Sequence, residues 1–274
     1  MPSQSPPIIL CFAATDPSGG AGLSADVLAI AAMGGHALPV VTGITVQDTL
    51  GVEDIHLLDA EWVADQARCV LEDMPVAAIK VGVLGSVEIV AAVAEVVSDY
   101  PDLPLILDPV LASGGGDSFA NDQVVLAMRE LLLPQTTVLT PNSLEARRLA
   151  NDETDDELTL DEAAGRLVAM GAEFVLLTGT HESTSQVSNR LYGAEGLLQT
   201  LHWDRLPGSY HGSGCTLAAA LAATMACGAD LQQASQDAQA FTWNALARGF
   251  RPGMGQFIPD RLFWAHDDEA DTEA

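Results

Sequence analysis

Short, unbroken hydrophobic runs recur along this chain, and most are followed by a turn and a longer segment whose apolar positions lie three and four residues apart. An unbroken run of strand length fits a strand covered on both faces, whereas the three-and-four spacing fits an amphipathic helix. The pattern predicts strands over 8–12, 38–42, 44–46, 77–81, 105–107, 137–140 and 174–177. It predicts helices over 23–33, 61–74, 87–99, 122–132, 160–170 and 231–248, with Ser143 capping another helix that carries Glu145 in its first turn. Segments 191–192 and 197–203, separated by glycines at 193 and 196, read as a hairpin. Strands alternating with helices over most of the length imply an α/β fold with a mostly parallel central sheet. No internal repeat or Ser/Gly-rich linker divides the chain, so residues 1–274 are read as a single domain, with 267–274 as a disordered acidic tail.

The most informative junction is Ser209-Tyr210-His211-Gly212-Ser213-Gly214-Cys215-Thr216, which runs into an Ala/Leu segment of high helix propensity. A glycine loop that tightens into a helix leaves backbone N–H groups without intrahelical acceptors, at the positive end of the helix dipole. Gly212, Ser213, Gly214 and Cys215 would therefore stabilise a phosphate or a phosphoryl group in transfer. At the same terminus the Cys215 thiol is expected below its ordinary pKa, available as a base, although a common Gly-x-Gly turn followed by a small buried cysteine would have the same sequence. A second strand-to-helix loop, Thr15-Asp16-Pro17-Ser18-Gly19-Gly20-Ala21-Gly22, has neither the lysine of a Walker A loop nor the dinucleotide glycine spacing, yet Gly19 and its neighbours would let a small ligand approach the backbone. Asp26 lies about one turn beyond it, on a face that looks back at such a ligand. Gln47 carries donors and an acceptor suited to the edge of a heteroaromatic ring, although a solvated loop glutamine would have the same sequence context. Asp108 sits at a strand's carboxyl end, where open α/β sheets gather ligand and metal groups. Residues 113–117 are expected to form a flexible loop and 152–157 a charged surface turn.

Charge narrows the partners. Thirty-eight acidic residues against 11 basic ones leave a formal net charge of −27, and Lys80 is the only lysine. Without a basic patch, nucleic acid and anionic membranes are excluded as partners, and the acidity is read as a strongly solvated surface that tolerates salt. Cys11, Cys69, Cys215 and Cys227 lack metal-ligand spacing and follow no secretory signal, so a reduced, cytoplasmic protein is expected. Apolar runs stop well short of a membrane span.

Taken together, Thr15–Asp26, Thr45-Val46-Gln47-Asp48-Thr49, Lys80-Val81-Gly82-Val83-Leu84, Leu107-Asp108-Pro109-Val110, Thr140-Pro141-Asn142-Ser143-Leu144-Glu145-Ala146 and His211–Leu217 resemble, in order and spacing, the hydroxymethylpyrimidine/phosphomethylpyrimidine kinases of thiamine biosynthesis. The resemblance covers nearly the whole chain. It implies a ribokinase-like three-layer α/β/α sandwich, ATP as phosphoryl donor, Mg²⁺, and a homodimer by analogy. Cys215 is the discriminating residue, since ribokinase-like sugar and pyridoxal kinases carry aspartate there. The resemblance further implies that Cys215 acts as general base on the hydroxymethyl oxygen or positions it, above the amides of Gly212, Ser213 and Gly214. Gln47, Asp26, Ala14 and Val83 would form the pyrimidine pocket, Asp108 and Glu145 would hold the metal, and Asn142 would lie near the phosphates. This chain departs from the family's common Lys-Gly-Gly-His at Thr178-Gly179-Thr180-His181, leaving Thr178 and His181 to face the nucleotide. The alternatives are a pyridoxal-type kinase and a catalytically weak pyrimidine-binding or regulatory module.

Overall fold

The computed structural model describes residues 5–112, 119–151 and 158–266. The loop expected at 113–117, the charged turn at 152–157 and the tail at 267–274 lie outside the described residues. In chain order the elements are β1 (Ile8–Thr15), α1 (Gly22–Ala32), β2 (His36–Gln47), β3 (Val52–Leu57), α2 (Ala60–Asp73), β4 (Val76–Val81), α3 (Val87–Ser98), β5 (Leu105–Leu107), α4 (Asp122–Ala127), β6 (Val138–Leu139), α5 (Ser143–Ala150), α6 (Leu160–Ala169), β7 (Phe174–Leu177), β8 (Gln186–Gly193), β9 (Gly196–Asp204), α7 (Ser213–Ala226) and α8 (Leu231–Ala247).

One sheet runs in the order β3-β2-β1-β4-β5-β6-β7-β8-β9. Its six central strands are parallel, while at the edges β3 pairs antiparallel with β2, and β8 pairs antiparallel with both β7 and β9. The period of two along β1 divides the core. Leu10 and Phe12 point into a layer built with α2, α3, α4, α5 and α6. Ile9, Cys11 and Ala13 point into a layer built with α1, α7 and α8. Every residue of α7 from Cys215 to Thr224 is buried, and the small alanines among them let this helix lie between its neighbours and the sheet.

Several predicted boundaries moved for identifiable reasons. The segments at 38–42 and 44–46 form one strand, because Gly43 pairs with Leu57 where a Cβ would come within 3.0 Å of the His56 carbonyl oxygen. β3 itself was unassigned: its edge position leaves Glu53, Asp54 and His56 in solvent, so it carries no hydrophobic run. The helix expected over 122–132 is α-helical only to Ala127, then widens into a π turn at Met128–Leu132 and ends in a 3-10 turn containing Pro134. The cap of α5 is Asn142 rather than Ser143. Asn142 Oδ1 accepts from the backbone N–H groups of Leu144 and Glu145 at 2.9 and 3.0 Å, and the Glu145 carboxylate accepts from Asn142 N–H at 2.9 Å. The hairpin is longer than its hydrophobic centre, but Gly193 and Gly196 do close it.

Where β1 turns into α1, Gly22 has φ +55° and a Cβ there would collide with the Ala14 carbonyl oxygen. Gly34 has φ +86° with open space around it. Gly34→Ala should therefore cost about 1–2 kcal/mol of backbone strain alone. Gly22→Ala should cost at least about 3 kcal/mol, because the strand must also shift. Urea denaturation of the two variants measures the difference; equal losses would mean that the junction yields freely.

Candidate active site

The carboxyl ends of five parallel strands converge on one cavity of about 450 Å³, with Thr15 after β1, Val83 after β4, Asp108 after β5, Thr140 after β6 and Thr178 after β7 in its wall. This is where strand topology opens a crevice, and the size suits one small ligand and a nucleotide. Gly212 to Cys215 form its floor. Gly212 caps α7 with φ +77°, and a Cβ there would collide with the Gly20 carbonyl oxygen, so the two glycine loops touch through backbone. The Asp108 carboxylate lies over the start of α7: a Cβ on Gly214 would be 3.7 Å from one of its oxygens and 3.8 Å from the other.

Most of the predicted site residues do come together. Ala14, Gln47, Val83, Asp108, Asn142, Glu145, Thr178, His181, Gly212, Ser213, Gly214 and Cys215 all line the cavity. Two do not. Gly19 faces a separate groove beside Phe250 and Pro252. Asp26 is fully buried beneath the cavity, with Lys80 Nζ at 2.9 and 3.0 Å from its two oxygens. One helical turn beyond the loop Asp26 lies inward, where its partner is the chain's only lysine, also fully buried.

Burial also reverses the expectation for Cys215. Desolvation pushes its thiol up to about 12, with Lys80 pulling the other way and the Asp108 and Asp26 carboxylates adding to the rise. The helix-terminal effect that would favour a thiolate is smaller than the cost of a second anion in a buried acidic site. Burial likewise pushes Asp108 up to about 6, opposed by Lys80 and raised further by Asp26. Glu145 is pushed up to about 8 by burial and by its neighbour Asp108. The Asp108 Oδ2 atom is buried without a hydrogen-bond partner. An Asp108 oxygen without a protein partner, beside a Glu145 carboxyl held by the Asn142 and Leu111 N–H groups, fits a cation that takes most of its ligands from phosphate and water, as Mg²⁺ does. No group of three or more His, Cys, Asp or Glu side chains that could hold a metal ion occurs among the described residues.

Sequence reasoning missed His211, whose backbone loop attracted notice while its side chain did not. His211 is buried with its Nε2 2.9 Å from Asp16 Oδ2 and 2.7 Å from the Gln47 side-chain amide. Asp16 in turn accepts from Ser18 N–H at 2.8 Å, Ser18 Oγ at 2.9 Å and Ala21 N–H at 2.7 Å, which shapes the first glycine loop. At the far end of the cavity Trp203 and Trp243 stack with centroids 6.1 Å apart. Arg205 there donates to the carbonyl oxygens of Thr180, Glu182 and Thr184, tying down the segment that follows Thr178.

Residues 16–260 match the family described as phosphomethylpyrimidine kinase. The chain belongs to that family. It is 39% identical to a hydroxymethylpyrimidine/phosphomethylpyrimidine kinase of Mycobacterium bovis over 96% of both chains. It is 36% identical to the one of Streptomyces coelicolor over 93% of this chain and 94% of that one. Among solved structures, the pyridoxal kinase of Staphylococcus aureus in complex with pyridoxal superposes with a TM-score of 0.85 at 27% identity, covering 96% of both chains. The phosphomethylpyrimidine kinase of Clostridium difficile superposes with a TM-score of 0.74 at 27% identity, covering 88% of this chain and 99% of that one. The expected ribokinase-like three-layer α/β/α architecture holds, and no described helix is long and apolar enough to cross a membrane.

The Lys80–Asp26 pair makes a quantitative prediction for the floor of the site. Lys80→Met strands a buried carboxylate and should cost about 3–5 kcal/mol, whereas adding Asp26→Leu should recover most of that loss. A double-mutant cycle by chemical denaturation checks it; additive losses would show that the pair is not coupled.

Proposed function

We propose that this chain transfers the γ-phosphoryl group of ATP to the hydroxymethyl oxygen of 4-amino-5-hydroxymethyl-2-methylpyrimidine, and then a second phosphoryl group to the monophosphate, supplying the diphosphate for thiamine biosynthesis. The observation that carries this reading is one cavity whose lining includes Gln47, Thr178, Asp108 and the α7 N-terminus together. Family membership over residues 16–260 supports it. The strands that bring residues to the cavity belong to one nine-stranded sheet, which supports reading the chain as a single kinase domain.

In this reading the amides of Gly212, Ser213 and Gly214 hold the phosphoryl oxygens as charge spreads over them, and positioning supplies most of the rate. Ala14, Val83 and Gln47 hold the pyrimidine ring with its hydroxymethyl group over Cys215. With its thiol neutral at pH 7, Cys215 orients the nucleophilic oxygen, whose proton passes late, as bond formation to phosphorus acidifies it, to an oxygen of the transferred phosphoryl group. Asn142, Thr178, His181 and Arg205 line the nucleotide side. Asp108 and Glu145 would hold Mg²⁺, which neutralises phosphate charge when bound. A pyridoxal kinase activity is the second reading, favoured by the fold likeness to the S. aureus enzyme.

Purified protein with ATP and Mg²⁺ should convert the pyrimidine to the mono- and then the diphosphate, seen by mass, and leave pyridoxal nearly untouched. Conversion of pyridoxal alone would transfer the reading to the second activity, and conversion of neither would end both. Cys215→Ala should lower kcat by at least about 100-fold with little change in unfolding midpoint, while Cys215→Ser, which keeps a hydrogen-bonding group but is a far weaker acid, should retain distinctly more activity. A serine variant as inactive as the alanine one would argue for a thiolate base. Glu145→Gln keeps an oxygen for the Asn142 cap, so thermal stability should hold while the half-saturating Mg²⁺ concentration rises at least about tenfold. An unchanged Mg²⁺ requirement would remove Glu145 from the metal site.

A further inference from the structure

The contact between Gln47 and His211 is chemically incomplete as a nitrogen–nitrogen pair. A single ring nitrogen, His211 Nε2, lies 2.9 Å from Asp16 Oδ2 and 2.7 Å from the Gln47 amide. The Asp16 carboxyl is buried, yet hydrogen bonds from His211, Ser18 and Ala21 hold it below the usual carboxylate range, so it is an anion at neutral pH. An anion 2.9 Å from Nε2 requires that this nitrogen carry a hydrogen. A nitrogen that donates to Asp16 has no lone pair left to accept from a Gln47 NH₂ group. The amide therefore turns its oxygen to His211, where it shares the one Nε2 hydrogen with Asp16 in a three-centre bond, because an NH₂ group there would set donor against donor; its NH₂ takes the other position, on a side chain that lines the cavity.

We propose that Asp16 and His211 act as positioning residues that lock the Gln47 amide in one orientation, and that this lock selects a 4-aminopyrimidine edge over the corresponding 4-oxopyrimidine edge. The inference rests on the substrate reading given above and sharpens it. A 4-aminopyrimidine presents an amino donor beside a ring-nitrogen acceptor. The 4-oxo form presents a carbonyl acceptor beside a ring N–H donor, the same two positions with reversed polarity. A glutamine free to rotate by half a turn about its last bond complements either edge, because its amide is nearly symmetric in shape. A glutamine whose oxygen is pinned complements only one, and the reversed ligand meets donor against donor and acceptor against acceptor. Sites built to hydrogen-bond a ligand reject an analogue that leaves buried polar groups unpaired far more strongly than apolar pockets reject a change of size.

The lock is built into the chain at two distant places. Asp16 is anchored by the turn that closes the first glycine loop, and His211 is held by its backbone N–H bond to the Phe257 carbonyl at 2.8 Å and by close packing on Gly20, where a Cβ would collide with the imidazole. Neither side chain has room to swing away without moving a loop.

The test compares 4-amino-5-hydroxymethyl-2-methylpyrimidine with its 4-oxo counterpart, by kcat/KM for phosphorylation and by calorimetric Kd, in wild type, His211→Leu and His211→Gln. Wild type should prefer the amino compound by on the order of 100-fold or more. In His211→Leu the ratio should fall at least tenfold, chiefly because the oxo compound improves relative to the amino compound. His211→Gln, which can return an N–H donor to Gln47, should restore part of the ratio. Thermal melting identifies any variant that fails to fold, and Asp16→Asn, which can turn an amide NH₂ toward His211, then serves as the second route to the same loss of selectivity. A selectivity ratio unchanged in the folded variants overturns the lock. If wild type binds the amino compound selectively but transfers no phosphate, the kinase reading falls and the Kd ratios alone support or overturn the lock; if it binds neither compound, both fall together.

Discussion

The buried ion pair between Lys80 and Asp26 is the constraint on which the reacting end of this molecule depends. A chain with a net charge of −27 places its only lysine at zero exposure, directly under a cavity walled by Asp108 and floored by the α7 terminus. Taking both partners out of water is expensive, and such a pair is a poor source of stability compared with apolar packing. Its value is local. Lys80 opposes the rise that burial imposes on Asp108 and on the Cys215 thiol, so carboxyl groups can remain at the end of β5 without a compensating cation from the surface. Neighbouring sequence is shaped around it: a Cβ on Gly82 would sit 2.8 Å from Lys80 Nζ, which explains a glycine where β4 ends.

Two competing effects meet at Cys215, and their sizes decide its chemistry. A helix terminus favours a thiolate by an amount that falls off within the first turn and is modest beside the cost of burying an additional anion. With Asp108 and Asp26 already present, burial wins and the thiol stays neutral. Backbone N–H groups do not carry that penalty, because they bring partial positive charge without a counterion. The same terminus that fails to ionise Cys215 therefore remains suited to a phosphoryl group, whose negative charge arrives with the ligand.

Backbone-driven features were the most legible in the sequence. Gly22 and Gly212 announce tight strand-to-helix junctions because only glycine allows those contacts, and the residues after each parallel strand were correctly placed along one sheet edge. Features set by depth were less legible. A residue one helical turn past a loop faces the ligand or lies beneath it according to what packs under it, and nothing in the spacing of Asp26 reveals that Lys80 is there. β3 was invisible for the opposite reason, since an edge strand in solvent needs no hydrophobic run. His211 carried a usable signal, a titratable side chain directly before Gly212-Ser213-Gly214, but its partners Asp16 and Gln47 are 195 and 164 residues away in sequence. Only the parallel pairing of β1 with β2 and the closure of α7 onto the first loop bring the three together.

The remaining tension is between a strongly acidic protein and a polyanionic co-substrate. Surface charges act across solvent and are screened within about 8–10 Å at ordinary ionic strength, so most of the 38 acidic residues contribute little field inside a partly enclosed cavity. The lining holds the α7-terminal amides, His181 and Arg205, with no lysine. Arg205 spends three N–H donors on the carbonyls of Thr180, Glu182 and Thr184 and has two left. Its fixed fork therefore both braces the segment beyond Thr178 and keeps positive charge beside it, which a flexible lysine at 178 would supply without the bracing. Oriented dipoles and a braced guanidinium act at short range in the cavity, where a large surface charge is screened.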